Sequence, residues 1–333
     1  MKKTIFLAHD PGGCEAVQPV FARFLAKGRP AAFYCAGPAG ALNREHAADE
    51  ADIAARIEDL AAAREIVALV TGTSWGSQLE NRARAFCQER GIKTLAVLDY
   101  WSNYRARFEF GSSVRYPDYY AVMDDLAKKE AIADGVPPSI IAVLGQPGLD
   151  RYVSAPRPRA RENKGRVLFV SQPLSVLYGK TLGYTEFDAL SDLCQLAAAS
   201  GLALRVKFHP KDSVEFKSAF QDMEAQGDFS ALLPEYEWVV GMSSMALLHS
   251  ALMGAKTISY QPRLAAPDGC VTNKLGLTRP VGDYEGLRRE LLTVRPLDDK
   301  FIEEHKKELV WLDGRSAVRV AAFAESLGGR EAF

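Results

Sequence analysis

Runs of five or six mainly apolar residues recur along this chain, separated by longer stretches in which apolar positions return every three or four residues. Residues 4–8, 31–36, 66–71, 94–98 and 119–123 are runs of the first kind, and each reads as a strand buried on both faces. Residues 15–27, 49–64, 77–90 and 126–134 belong to the second kind and read as helices. Buried strands alternating with helices of this length predict parallel βαβ units.

The pattern then pauses. A strand over 140–144 runs into Gly145-Gln146-Pro147-Gly148-Leu149-Asp150, and residues 154–164, rich in Pro and Arg, read as a linker. It restarts with a strand over 166–170, a helix over 185–200 and a strand over 203–208. A helix near 214–226, a strand over 238–240, a helix over 245–253 and a strand over 257–260 follow. Residues 300–327 read as one or two amphipathic helices. At 333 residues the chain is also too long for one ordinary core. The expected fold class is therefore α/β, with two Rossmann-like domains facing across a cleft. The expected division is a first domain over 1–145 and a second over 146–315, with a terminal helix over 316–333 that by analogy returns to the first.

Charge narrows the partners. Lys plus Arg (41) balances Asp plus Glu (42), so no overall field recruits nucleic acid or an anionic membrane, and any anion site must be local. Cys14, Cys35, Cys87, Cys194 and Cys270 are scattered without a C-x-x-C pair, which fits a reducing compartment and neither a disulfide framework nor zinc. No metal site is expected. The first apolar run stops at His9-Asp10, too short for the core of a signal peptide, and no 18-residue apolar run could span a membrane. The expectation is a cytoplasmic protein, with peripheral membrane contact and oligomeric state left open.

Candidate chemistry sits where strands end. Arg205-Val206-Lys207-Phe208-His209-Pro210 closes one strand, and Val239-Val240-Gly241-Met242-Ser243-Ser244 closes the next. Ligands of open α/β sheets bind at the carboxyl ends of strands. Helix N-terminal N–H groups, Ser hydroxyls and one His suit a phosphate. His209 would donate a hydrogen bond or a proton to a phosphate oxygen, with Pro210 fixing the turn. Ser243 and Ser244 serve equally as helix caps and phosphate ligands, and Gly241 would admit close backbone approach. Ser171-Gln172 ends another strand of the same half, where its loop could cover a nucleotide, and Lys207 joins this donor-side set.

In the first half, Gly12 and Gly13 would let a ligand approach, and Asp10 reads equally as a general base or a helix cap. Thr73 and Ser74 end the third strand in small polar groups. Asp99 is the second candidate base, followed by Trp101 and Tyr104, whose rings could stack on a sugar or pack in the interior. The glycines form neither G-x-G-x-x-G nor a P-loop, so a dinucleotide fingerprint is not supported.

These residues carry a resemblance. Two Rossmann-like halves with ligand groups in the second resemble the GT-B glycosyltransferase fold, shared by the nucleotide-sugar 2-epimerases. Gly145-Gln146-Pro147-Gly148-Leu149-Asp150 resembles the interdomain signature of that superfamily. Lys207-Phe208-His209-Pro210 and Ser243-Ser244 resemble the His-Pro and Ser-Ser/Thr motifs of bacterial sialyltransferases and of Kdo and polyol-phosphate transferases. The resemblance implies that His209 protonates or hydrogen-bonds the leaving phosphate of a nucleotide-activated sugar, CMP-sugar favoured, while Ser243 and Ser244 hold it. The acidic base motif of those sialyltransferases has no counterpart, which leaves Asp10 and Asp99 as candidates. The epimerases' Gly-Asp-Thr segment appears here as Gly72-Thr73-Ser74, without its carboxylate.

The expected activity is metal-independent glycosyl transfer to a glycan-type hydroxyl acceptor in surface polysaccharide or glycoconjugate synthesis. No cofactor is expected, the nucleotide-sugar being a substrate. The alternatives are a UDP-GlcNAc 2-epimerase-like enzyme and a catalytically inactive GT-B-like nucleotide- or glycan-binding protein.

Overall fold

The structure, a computed structural model, describes residues 2–74, 76–154, 164–278, 280–293 and 309–328. The chain forms two compact units, Met1–Ser154 with Ile302–Phe333, and Ala155–Phe301. Each is built on its own parallel sheet.

In the first unit the strands are β1 (Lys3–Ala8), β2 (Ala31–Cys35), β3 (Ile66–Thr71), β4 (Lys93–Val97), β7 (Tyr119–Val122) and β8 (Ile141–Val143). They lie in the order β2-β1-β3-β4-β7-β8. From the second residue onward, every residue of β1, β4 and β7 is buried, as expected of central strands covered on both faces. A small antiparallel pair, β5 (Glu109–Phe110) with β6 (Ser113–Val114), interrupts the alternation. Two-residue strands carry no periodicity to read, and the sequence gives no sign of them.

The first helix, Pro11–Ala26, starts four residues before its expected position. Pro11 occupies the first turn, where its missing N–H costs nothing and its fixed φ is already helical. Asp10-Pro11-Gly12-Gly13 is thus the entry and first turn of a helix rather than an open loop. Beneath it Phe6 meets Phe21 and Phe24 edge-on at 5.6 and 5.0 Å. The terminal helix Ser316–Ser326 adds Val320, Ala321 and Ala324 to this core. Its N-terminus is held by Asp150, whose two carboxylate oxygens accept from the backbone N–H groups of Ser316 (3.0 Å) and Ala317 (2.8 Å). Gly145, at φ +91°, faces Ser316 so closely that a Cβ would collide with its hydroxyl. The Gly145–Asp150 segment therefore clasps the terminal helix.

The second unit contains β9 (Arg166–Val170), β10 (Ala203–Lys207), β11 (Trp238–Gly241), β12 (Lys256–Tyr260) and β13 (Pro280–Val281), in the order β10-β9-β11-β12-β13. Its core gathers Phe169, Leu190, Leu193, Val206, Phe216 and Val240. The helix expected near 214–226 is shorter, Val214–Ala219, and continues as the 3-10 turn Gln221–Met223. Of the expected linker, residues 155–163 lie outside the described residues, as do 300–308 of the last expected helical stretch. No helix among the described residues is long and apolar enough to cross a membrane.

Asp150→Ala removes the acceptor at the terminal helix and is expected to lower the stability of the first unit by about 1–2 kcal/mol. The drop should appear as a lower urea midpoint; an unchanged midpoint would contradict the cap.

Candidate functional site

The carboxyl ends of β1, β3 and β4 bring His9-Asp10, Gly72-Thr73-Ser74 and Asp99 to one edge of the first sheet. What holds them there is a residue the sequence reading passed over. Glu80, on the helix Leu79–Gln88, is 1% exposed. One of its carboxylate oxygens accepts from His9 N–H (3.2 Å) and the other from Ser74 N–H (2.5 Å). Burial pushes this carboxyl up to about 7, against the pull of Arg84 and the two N–H groups. Arg84, one turn on, donates to Thr71 Oγ1 (2.6 Å), to the Gly72 carbonyl (3.2 Å) and to Asn81. Its burial lowers it to about 10.

Two glycine assignments are corrected here. A Cβ on Gly12 would collide with the Asp99 carboxylate, and one on Gly72 would come within 2.9 Å of the Gly13 Cα. Gly12 and Gly13 let the first helical turn back onto the β3 and β4 loops. The protein's own groups fill the space that a ligand was expected to take.

The two candidate bases have different partners. Asp99 lies 2.6 Å from Arg107 Nη1, and that guanidinium, 7% exposed, also donates to the Thr73 carbonyl (2.7 Å), Thr73 Oγ1 (3.0 Å) and the Ser102 carbonyl (3.1 Å). Burial works against the charge of Arg107, but Asp99 more than restores it, leaving the group above its ordinary value. Asp99, its own side chain 18% exposed, and Thr73 are thus joined to the buried Arg107 in one ion-pair network. Asp10 is more open, with a side chain 27% exposed. Its Oδ1 lies 2.9 Å from His9 Nδ1, and the other ring nitrogen lies 3.0 Å from Glu50 Oε1. Ser74 Oγ stands 3.3 Å from the same Nδ1. His9 therefore ties Asp10 to Glu50, which in turn accepts from Ser77 at 3.0 Å.

Trp101 and Tyr104 are also corrected. Trp101 is 2% exposed, donates its indole N–H to Asp124 (3.0 and 3.1 Å) and packs edge-on against Trp311 at 5.9 Å. Tyr104 is 4% exposed and donates to Glu130 at 2.6 Å. Neither offers a free ring face to a sugar, because burial and hydrogen bonding have consumed both.

In the second unit, sheet order decides the grouping. β10, β9 and β11 are neighbours, so His209, Ser171-Gln172 and Ser243-Ser244 emerge side by side. Gln172 Oε1 accepts from Ser243 N–H at 2.7 Å, joining two of the three loops. Asp212, 5% exposed, accepts from His209 N–H at 2.8 Å and fixes the third. Burial raises the Asp212 carboxyl, while Ser171 lies against it without reaching good hydrogen-bond geometry.

His209 Nδ1 accepts from Lys211 N–H at 3.1 Å, so the hydrogen of a neutral ring sits on Nε2. Burial, with Lys211 and Lys217, holds this His below its ordinary value. Ser244 takes the N-cap position of the helix Met245–Leu252, yet its hydroxyl makes no cap bond. That oxygen is buried and has no hydrogen-bond partner among the described residues.

Three donor-side assignments change. Gly241 makes room for Val170, whose Cγ2 would lie 2.6 Å from an added Cβ, so it serves strand packing. Lys207 donates to the Gly227 carbonyl at 2.5 Å, turned to that loop. Pro210 is exposed, and its carbonyl accepts from Lys217 at 2.8 Å. Beyond β12, Gln261 and Asn273 both donate to Asp268, at 2.8 and 2.7 Å.

Of the missed residues, Glu80 and Arg84 had a faint signal, their i,i+4 spacing on one helix. Arg107 and Asp212 had none, since each meets its partner through a loop.

No family model matches the chain, and no curated protein matches its sequence. Solved structures do. UDP-GlcNAc 2-epimerase from Methanocaldococcus jannaschii is 13% identical, with a TM-score of 0.68 over 98% of this chain and 100% of that one. A Listeria monocytogenes protein described as a UDP-N-acetylglucosamine 2-epimerase is 15% identical, also at 0.68, over 100% and 98%. The lipopolysaccharide outer core galactosyltransferase WaaB is 13% identical, at 0.56 over 97% and 99%. The chain has the GT-B fold. The likeness spans both units and reaches enzymes of two different activities.

Glu80→Ala strands two buried N–H groups and is expected to cost about 3 kcal/mol, read by urea unfolding. His209 should titrate below 6.5 by NMR of its ring protons. Lys217→Met should move that midpoint upward, and a midpoint indifferent to Lys217 would show that the lysine does not act on the ring.

Proposed function

We propose that this protein transfers a glycosyl group from a nucleotide-activated sugar to a hydroxyl acceptor. One observation carries the reading: a neutral-leaning imidazole, an unpartnered Ser244 hydroxyl and a Gln172-held Ser243 converge at three adjacent strand ends. Such a cradle suits a phosphate that gains charge as it leaves, because a hydrogen-bond donor in a partly dehydrated site favours the developing anion. In this reading His209 donates from Nε2 to the departing phosphate. Asp10 takes the acceptor proton, since Asp99 is held by Arg107. His9 and Glu50 position Asp10, and Glu80 positions His9.

A second reading, conversion of UDP-GlcNAc to its 2-epimer, draws support from the fold likeness to proteins bearing that name. The same phosphate cradle would serve it. Epimerisation also needs acid and base groups at the sugar ring itself, and Asp99, committed to Arg107, is poorly placed to supply one.

The two readings separate in one experiment. The chain is incubated with CMP-, UDP- and GDP-sugars, with and without a mixture of glycan acceptors. Acceptor-dependent nucleotide release is expected, whereas acceptor-free formation of UDP-ManNAc from UDP-GlcNAc would replace transfer by epimerisation. His209→Ala should lower turnover at least ~100-fold while leaving nucleotide affinity within a few-fold. Calorimetry showing no binding of any of these donors would overturn both readings.

A further inference from the structure

The cysteines are scattered along the sequence, yet the fold brings two of them face to face. Cys14 lies near the start of the helix Pro11–Ala26, and Cys35 ends β2. Their sulfurs stand 4.0 Å apart, and Asn43 Nδ2 donates to the Cys14 sulfur at 3.0 Å. Hydrogen bonds to a sulfur and the positive end of a helix both favour its thiolate. The contact with Cys35 lowers the Cys14 thiol from its ordinary value, against burial and Glu15, and the same contact raises Cys35. Cys87 shows the contrast within the same unit: burial pushes its thiol up to about 12, against the pull of Arg90.

Backbone hydrogen bonds join this pair to the His9-Asp10 corner. Cys14 N–H donates to the Asp10 carbonyl at 2.9 Å. Just past Cys35, Ala36 N–H donates to the Ala8 carbonyl (3.1 Å) and Ala39 N–H to the His9 carbonyl (2.8 Å). Gly37 packs so closely on the His9 ring that a Cβ there would collide with Nε2. A disulfide holds its sulfurs at about 2 Å, so forming one draws together the two segments that flank His9.

We propose that Cys14 and Cys35 form a peroxide-responsive thiol pair whose disulfide shifts the His9-Asp10 corner. At 2% and 0% exposure these residues admit a peroxide-sized oxidant and exclude one the size of glutathione. The Cys14 sulfur takes one oxygen as the O–O bond breaks, leaving a sulfenic acid and water. The Cys35 sulfur then displaces the hydroxyl, which leaves with the Cys35 proton as a second water while the S–S bond forms. Both thiols are oxidised and the peroxide is reduced. The inference stands apart from the proposed reaction and is read without turnover.

The reduced full chain is treated with equimolar hydrogen peroxide, cleaved without reductant and mapped by mass spectrometry. A peptide pair joined through Cys14 and Cys35 is expected, and dithiothreitol should separate it. C35S should instead hold Cys14 as a sulfenic acid that dimedone labels, and C14S should slow peroxide consumption at least ~10-fold. By NMR, the His9 ring protons should move on oxidation of the native chain and stay in place in C14S/C35S. Absence of the linked peptide, or linkage spread equally over Cys87, Cys194 and Cys270, would overturn the thiol pair. A His9 ring unmoved by the disulfide would overturn its effect on the corner.

Discussion

Glu80 has no water to ionise into, and its oxygens are taken by backbone N–H groups of two different strand ends. The rest of the first unit's site depends on that arrangement. The His9 backbone, and with it the ring that meets Asp10 and Glu50, is placed by one oxygen. Ser74, whose hydroxyl approaches the same ring, is placed by the other. A carboxylate costs much to bury, and this one is tolerated because each oxygen accepts an N–H that would otherwise be orphaned. Arg84 adds partial charge compensation from one turn away.

The second unit solves the same problem with sheet order. Parallel strands put all their carboxyl ends on one edge, so three adjacent strands deliver three loops to one spot without long-range design. Gln172 then ties two of those loops together, Asp212 fixes the third, and the Nδ1 of the His209 ring accepts from Lys211 N–H. Suppressing the charge on that ring keeps it a donor rather than a fixed cation, which suits a group that must respond to charge appearing on a neighbour.

Much of the fold was legible because its signal is local. Residues 66–71 and 166–170 coincide with β3 and β9, since buried central strands must be continuously apolar. The pairing of β5 with β6 and the short β13 were not legible, because two residues have no period. The candidate site divides the same way. His209, Ser243, Ser244, Ser171 and Gln172 were visible as polar residues ending apolar runs, and the structure gathers them. Trp101, Tyr104, Gly12, Gly13, Gly241 and Lys207 were visible for the same reason, yet their neighbours turn them to packing or to backbone carbonyls. An aromatic or a glycine at a strand end looks alike in sequence whether it faces a ligand or its own core.

By itself, then, the sequence determined the alternation of strands and helices, the doubling of that pattern, and the presence of polar groups at strand ends. Those follow from which residues can be buried at which spacing, a property of neighbours along the chain. Tertiary structure alone decided that Asp99 pairs with Arg107 and Asp10 with His9, that Glu80 joins two loops, and that Asp150 clasps the terminal helix. Each of those outcomes pairs residues brought together by strand order or by a loop returning to the sheet. Burial then sets their charge, and burial is a property of the folded neighbourhood rather than of any stretch of sequence.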